Sequence, residues 1–433
     1  RFSPNGFIFD DTGQSTFAID ATVDANKIAS LVCSKTSAYF LSFISQTLSF
    51  NKGDVAKIPV PSMSKWGDVN TVEIVDISKN DWDSQERSWN FQKPLILTSE
   101  IFESVARAAY VRLKFYNSNL IERYSLLEEE NNRIFIEAYD LRSELTPEVP
   151  LKEITLTCNP HYRYGGDKTD EELNELLLAD SMREFISYSV GCMFGRYSLD
   201  KDGLILANQA ETVDDYLKQI PKPSFDPDDD NVIPLIDLEL EKGKQDDWFE
   251  DDISERFKAF LKVTFGTENY DENLSFIEDS IGRDIKKYFS DTNPASKKGF
   301  YGHHLSIYKK RPIYWLFSSP KGSFNALIYM HRYRSDTVSV VLNDYLREFR
   351  TKLDAKKESY EQTSISANAE PADKTKALKA VEKIKTVLEE VKDYERDILY
   401  PLAGQNIEID LDDGVKHNYP LFGKALKKVT GLS

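Results

Sequence analysis

"RPIYWLFSSPKGSFNALIYMHRY", residues 311–333, contains two aromatic, β-prone runs on either side of Ser318-Ser319-Pro320-Lys321-Gly322. Two such runs around a Pro/Gly turn predict a β-hairpin. The neighbouring segments read as helices. Upstream, "DDISERFKAFLKVTFG" and "LSFIEDSIGRDIKKYF" are amphipathic at helical spacing; downstream, 337–362 and 373–399 are long and charged. In the last of these, Leu378, Val381, Ile384, Leu388 and Val391 form a narrow apolar stripe, and the Ala/Ser/Pro stretch 364–372 joins the pair into an expected helical hairpin of coiled-coil character. A hairpin packed on helices makes the class α+β. No fixed-period repeat is present.

Toward the N-terminus the pattern is more varied. Residues 1–63 alternate strand-like runs ("GFIFD", "STFAI") with Gly and Asp turns, then a helical stretch over about 24–45, which together suggest a small α+β unit. Residues 64–98 are tryptophan-rich, with "EIVDIS" a possible strand and Trp82, Trp89 and Phe91 expected to pin one layer to the next. From Glu100 the period is helical and predicts two helices ending before Pro147. "LKEITLT" reads as a strand, and Thr169 with Glu172 forms a capping box opening one helix or two. The domain boundaries expected are 1–63, a 64–150 connector with a helical pair, a 151–223 helical unit, a 224–252 acidic loop, a 253–336 mixed basic unit, and a 337–433 helical hairpin with tail.

Charge is strongly segregated. The total is −17, but 224–252 carries twelve acids against Lys242 and Lys244, a net of −10. Residues 283–350 carry thirteen Lys and Arg against five acids, a net of +8. Such segregation permits a polyanion-facing surface on an acidic protein, and equally two solvated faces of opposite sign. Cys33, Cys158 and Cys192 form no framework and are expected to be buried reduced thiols. No apolar run reaches membrane-span length and Arg1-Phe2-Ser3-Pro4 lacks signal-peptide features, so a cytoplasmic protein without a membrane partner is expected.

"TCNPHYRYGG", residues 157–166, contains most of the Asn-Pro-Pro-Tyr tetrapeptide with which adenine methyltransferases hold a flipped base. His161 replaces the second proline, however, and no G-x-G turn for S-adenosylmethionine precedes Asn159. A structural turn before the Thr169 helix is the preferred reading. His303-His304 is the only close histidine pair and does not suggest a metal site. "SSPKGS" has the letters of an anion-binding loop but is read as the hairpin turn.

Long phrases of the chain resemble one family. "ADSMREFISYSVGCMFGRYSLD", "KRPIYWLFSSPKGSFNALIYMHRY", "DWDSQERSWNFQ", "NPHYRYGG" and "DLDDGVKHNYPLFG" resemble PglX, the large adenine-specific DNA methyltransferase family of bacteriophage-exclusion (BREX) systems. "LLEEENNRIFIEAYDLRSEL" is similar to the segment after target-recognition domains in fused restriction-modification enzymes, and "SFNKGDVAKIPVP" to the close of such domains. The resemblance implies a fragment: the end of a target-recognition domain in 1–63, then a mostly helical C-terminal region, with the catalytic and S-adenosylmethionine motifs lying N-terminal to Arg1. It implies no catalytic, cofactor or metal residue in this chain, which is expected to be inactive alone. Implied partners are double-stranded DNA, other BREX subunits and a phage DNA-mimic inhibitor.

Within that frame Thr12, Gln14, Ser49 and Asn51 are the candidates for base contacts, since their short donors and acceptors suit base edges, although ordinary turn chemistry uses the same residues. Lys52, Lys297, Lys298, Lys309, Lys310, Arg311 and Lys321 are the candidates for phosphates, with the acidic loop facing solvent or a partner. The alternative function is a helical interaction module that docks defence subunits and touches no DNA.

Overall fold

The computed structural model describes residues 24–45, 52–62, 66, 70–241, 246 and 248–432 and divides into two units, 1–88 with 111–177, and 89–110 with 178–433. The strand-like runs expected before residue 24 lie outside the described residues. In the first unit, α1 (Ala25–Val32) and α2 (Lys35–Ile44) are separated because Ser34 caps the second, its hydroxyl accepting from the Ser37 N–H. α3 (Lys52–Val55) and α4 (Thr71–Asp83) follow, then α5 (Ala106–Ala138), α6 (Pro160–Tyr164) and α7 (Asp170–Met193); the unit borders fall inside α5 and α7.

Several expectations change here. "EIVDIS" lies within α4 and is helical, not a strand. Its β-branched residues favour a strand locally, but Ile74, Ile77 and Asp81 share one helical face. The two isoleucines join a core with Tyr124, Leu127, Ile154 and Leu156, and burial overrides propensity. The expected pair of helices after Glu100 is one 33-residue helix, α5, with no Gly or Pro to break it. "LKEITLT" is a 3₁₀ turn and irregular chain, held by Asp81, whose carboxylate accepts from the Thr157 N–H (2.6 Å), the Thr157 hydroxyl (3.0 Å) and the Cys158 N–H (3.0 Å). Trp82 and Trp89 are exposed at the surface; Trp66 is the tryptophan buried in this unit, against Phe135. Among the cysteines Cys192 is buried, Cys158 half-buried and Cys33 exposed.

The second unit contains α8 (Val213–Gln219), β1 (Ile233–Pro234), α9 (Ile253–Phe265), α10 (Tyr270–Ile281), α11 (Ile285–Ser290) and α12 (Phe300–Ile307). β2 (Tyr314–Ser318) and β3 (Asn325–Tyr329) then form the expected hairpin, and β1 joins its far edge to give an antiparallel sheet of order β1-β3-β2. Every residue of β2 and β3 is buried, which explains runs without polar alternation. Tyr314 faces Phe194, His304 and Phe300, while Trp315 and Phe317 both meet Phe422 on the opposite face. Leu426 and Lys427 pair along the free edge of β2, so both sheet edges are covered.

α13 (Thr337–Val340), a π-helical segment Val341–Leu346 and α14 (Arg347–Ile365) make one arm of the helical hairpin; α15 (Pro371–Tyr394), a second π segment Glu395–Leu399 and α16 (Tyr400–Ala403) make the other. Glu395 receives Arg347 (2.8 Å) and Arg350, tying the two arms at their π segments. The buried stripe of α15 runs through Ala377, Val381, Ile384, Leu388 and Val391; Leu378, expected on it, is exposed. α17 (Val415–Asn418) and the 3₁₀ turn Tyr419–Ala425 close the chain over the sheet.

Candidate nucleic-acid interface

Thr12, Gln14, Ser49 and Asn51 lie outside the described residues. Lys52 opens α3 and is exposed. The remaining basic candidates, Lys297, Lys298, Lys309, Lys310, Arg311 and Lys321, are exposed as well, and none forms an ion pair with a described residue.

Lys309 and Lys310 occupy an unusual turn. Both have left-handed backbones, with φ of 50° and 62°, a conformation that costs a non-glycine residue roughly 1 kcal/mol or more. The turn is fixed from both sides. The Lys310 N–H returns to the Leu305 carbonyl (2.7 Å), and the Arg311 N–H to that of Tyr308 (2.9 Å). Just beyond, the N–H groups of Ile313 and Tyr314 both donate to the buried His304 Nε2 at 3.2 Å. The three cations are therefore carried on a rigid turn joining α12 to β2.

Lys321 belongs elsewhere. It sits at the tip of the hairpin, at the other end of β2, and the strand alone separates it from the Lys309–Arg311 turn by about 13 Å at the usual rise. Its turn does bind an anion, but an internal one. The buried Glu390 of α15 accepts from the Ser319 hydroxyl (2.5 Å), the Lys321 N–H (2.7 Å) and the Ser323 hydroxyl (2.5 Å). The hairpin turn and the anion loop suggested by the same letters are thus one object, filled by a carboxylate. Burial lowers the pKa of the nearby Lys427, and Glu390 partly restores it. Glu390 is 69 residues from Lys321, and nothing local in the sequence marks their pairing.

The acidic segment does not face solvent as a loop. Val232, Ile233, Leu235, Ile236, Leu238 and Leu240 are buried, and its aspartates are spent on backbone and cations. Asp252 caps α9 and also accepts from the Ile236 N–H; Asp246 accepts from Leu240 N–H and pairs with Lys356. The carbonyls of Asp228 and Asp229 accept from Arg332 at 2.7 and 2.9 Å. The hydroxyl of Tyr345, in the first π segment, lies 3.0 Å from both Asp230 and Asp251. One hydroxyl proton cannot serve two carboxylates. Burial first, then the Asp230 charge, raises the Asp228 pKa, and burial raises those of Asp230 and Asp251.

Asn159 is completely buried. Its amide donates to the Leu151 and Ile154 carbonyls (2.7 and 2.9 Å), and its oxygen caps α6 by accepting from the His161 N–H. Both ends of the amide that would meet an adenine are committed to the chain's own backbone. The described sheet is antiparallel, without the parallel strand-turn-helix crossover that cradles S-adenosylmethionine, so the described residues do not fit that cofactor. Among the described residues no group of three His, Cys, Asp or Glu is placed to hold a metal.

Against known proteins, the whole chain aligns at 32% identity over 455 positions with the adenine-specific methyltransferase BrxX of Escherichia coli O9:H4 (strain HS), covering 35% of that protein. It aligns at 33% identity, over 97% of its length, with the adenine-specific methyltransferase PglX of Lacticaseibacillus casei (strain Zhang), covering 33% of it. The chain is homologous to a segment of the PglX/BrxX family. It spans about a third of the length of these curated relatives. No family model matches. The fold of the homologous segment is mixed and mostly helical around a small sheet, and no helix among the described residues is long and apolar enough to cross a membrane.

Proposed function

We propose that this chain is the DNA-gripping portion of a site-specific adenine N6-methyltransferase of a phage-exclusion system, acting in the cytoplasm. Its homology from end to end with a third of two adenine-specific methyltransferases carries the reading. S-adenosylmethionine and the methyl transfer belong to the remaining part of such an enzyme, and the chain alone is inactive. The Lys309-Lys310-Arg311 turn supplies affinity independent of sequence, because exposed, unpaired cations on a rigid turn can release counterions from phosphates without being reordered. Lys297, Lys298 and Lys52 add to it. Base reading belongs to Thr12, Gln14, Ser49 and Asn51, and the other defence subunits or a DNA-mimicking phage inhibitor would meet the same basic surface.

The docking-module reading loses one support, since the acidic segment is largely interior. It keeps another, the exposed Val111 and Phe115 one turn apart on α5. Two sets of substitutions in the full-length enzyme separate the readings. Neutralising Lys309, Lys310 and Arg311 raises KM for every DNA while kcat at saturating DNA holds; alanine at Thr12 or Asn51 lowers methylation of the cognate site alone, by roughly 1–3 kcal/mol per contact. Unchanged methylation in all of them, with loss of binding to another defence subunit, favours docking.

A further inference from the structure

The glycine turn after α7 places Arg196 in a setting that its structural role does not exhaust. Gly191 has no room for a side chain, since a Cβ there would lie 2.4 Å from the Tyr197 ring. This lets Tyr197 fold back beneath Arg196, whose Nε donates to the Tyr197 hydroxyl and whose Nη1 donates to that of Tyr329, each at 3.0 Å. The guanidinium carbon sits 5.2 and 5.8 Å from the two ring centroids. A guanidinium held in this way normally meets a carboxylate or phosphate through its paired N–H edge. Arg196 forms no ion pair with a described residue, and its Nη2 has no partner among them, while the side chain remains partly open to solvent.

Two imidazoles stand beside it, each with a sealed ring nitrogen that bonds to nothing described. His304 is 1% exposed; its Nε2 accepts two backbone N–H groups, so Nδ1 carries the proton and is an unused donor. His331 Nδ1 is likewise buried and unpartnered. The rings connect the three groups: His304 lies 4.9 Å from Tyr314, Tyr314 5.5 Å from Tyr329, and Tyr329 4.8 Å from His331. Burial and the Arg196 charge hold His331 at about 4, and burial, His303 and Arg196 hold His304 at about 3, so Arg196 reaches both and both are neutral at physiological pH. The acid near His331, Glu211, is already bound to the Ala207 and Asn208 N–H groups. Unused buried donors around one uncompensated cation are costly unless an acceptor joins them.

We infer that Arg196, His304 and His331 form a receptor for one compact phosphate group, walled by Tyr197 and Tyr329. Because His304 is sealed and access is from the Arg196 side only, the group enters as a terminal phosphate, free or as a nucleotide monoester. A duplex backbone, which must leave on both sides of each phosphate, does not fit. The inference is independent of duplex binding at the Lys309–Arg311 turn.

The test is calorimetric titration of the chain in chloride buffer with inorganic phosphate, with 2′-deoxyadenosine 5′-monophosphate, and with a blunt duplex lacking terminal phosphates. Phosphate and the mononucleotide are expected to bind one per chain, and Arg196→Gln to weaken both by about tenfold or more. Histidine C2–H resonances, assigned with His331→Gln, should shift for His304 and His331 as phosphate is added. If Arg196→Gln does not fold, these resonances in the unsubstituted chain decide the matter. No saturable phosphate binding, still resonances, or undiminished affinity in Arg196→Gln overturns the receptor; displacement of bound phosphate by the blunt duplex overturns the terminal-phosphate assignment.

Discussion

Glu390→Ala is expected to be among the most damaging single changes outside the apolar core. The glutamate is 7% exposed and accepts from two hydroxyls and the Lys321 N–H, with the Ser323 N–H at 3.5 Å as a weaker fourth. Truncation leaves these donors around a void. Each hydroxyl can rotate toward another acceptor, but the Lys321 N–H cannot, and an unsatisfied buried donor costs about 1–3 kcal/mol. The half-buried Lys427 also loses its carboxylate. Removing one partner from a buried ionic network costs roughly 3–5 kcal/mol, and the low end applies because the hydroxyls can adjust. Glu390→Gln keeps one acceptor oxygen and should cost about half as much. Urea unfolding followed by tryptophan fluorescence, with Trp315 buried in β2, measures both. A loss below about 1 kcal/mol for Glu390→Ala would refute the reasoning: the hairpin turn would then hold its shape without an internal anion.

Two further outcomes are expected. Asp228 has a raised pKa in the folded chain, so its protonation supports folding at low pH, and that support is lost as pH rises from the ordinary carboxylate range through the folded pKa. Asp230, Asp251 and Glu348 oppose ionisation around Tyr345 while Arg256 and Arg332 favour it; Asp228→Asn should raise Tm at alkaline more than at acid pH, and a uniform shift in thermal scans would refute the shared-proton reading. Lys310→Gly relieves the left-handed strain and should hold or raise stability by about 1 kcal/mol while weakening DNA binding; a clear loss of stability would mean that the lysine stem contributes packing.

Much of the fold was legible in the sequence where local pattern and burial agree. The hairpin, the Thr169–Glu172 box and the long helical pair all combine period with their own caps or turns. "EIVDIS" was not legible, because its β-branched residues argue for a strand and only packing against α5 decides otherwise. The acidic segment was misread for a related reason: alternating Asp and apolar residues look like a solvated loop until β1 pairs with β3 and the carboxylates find backbone N–H groups. At the candidate interface the cations were visible as letters, but their grouping was not, since it depends on the length of β2 and on a turn whose left-handed lysines no propensity suggests.

Salt-dependent binding of a generic duplex to this chain, with and without neutral replacements at Lys309, Lys310 and Arg311, tests the DNA-gripping role most directly. The unsubstituted chain is expected to bind all sequences alike. The triple variant should bind them more weakly, with a log–log salt slope reduced by about 0.9 for each phosphate it no longer neutralises. Equal affinity and equal slope in the two proteins, or no binding by either at low salt, would contradict that role.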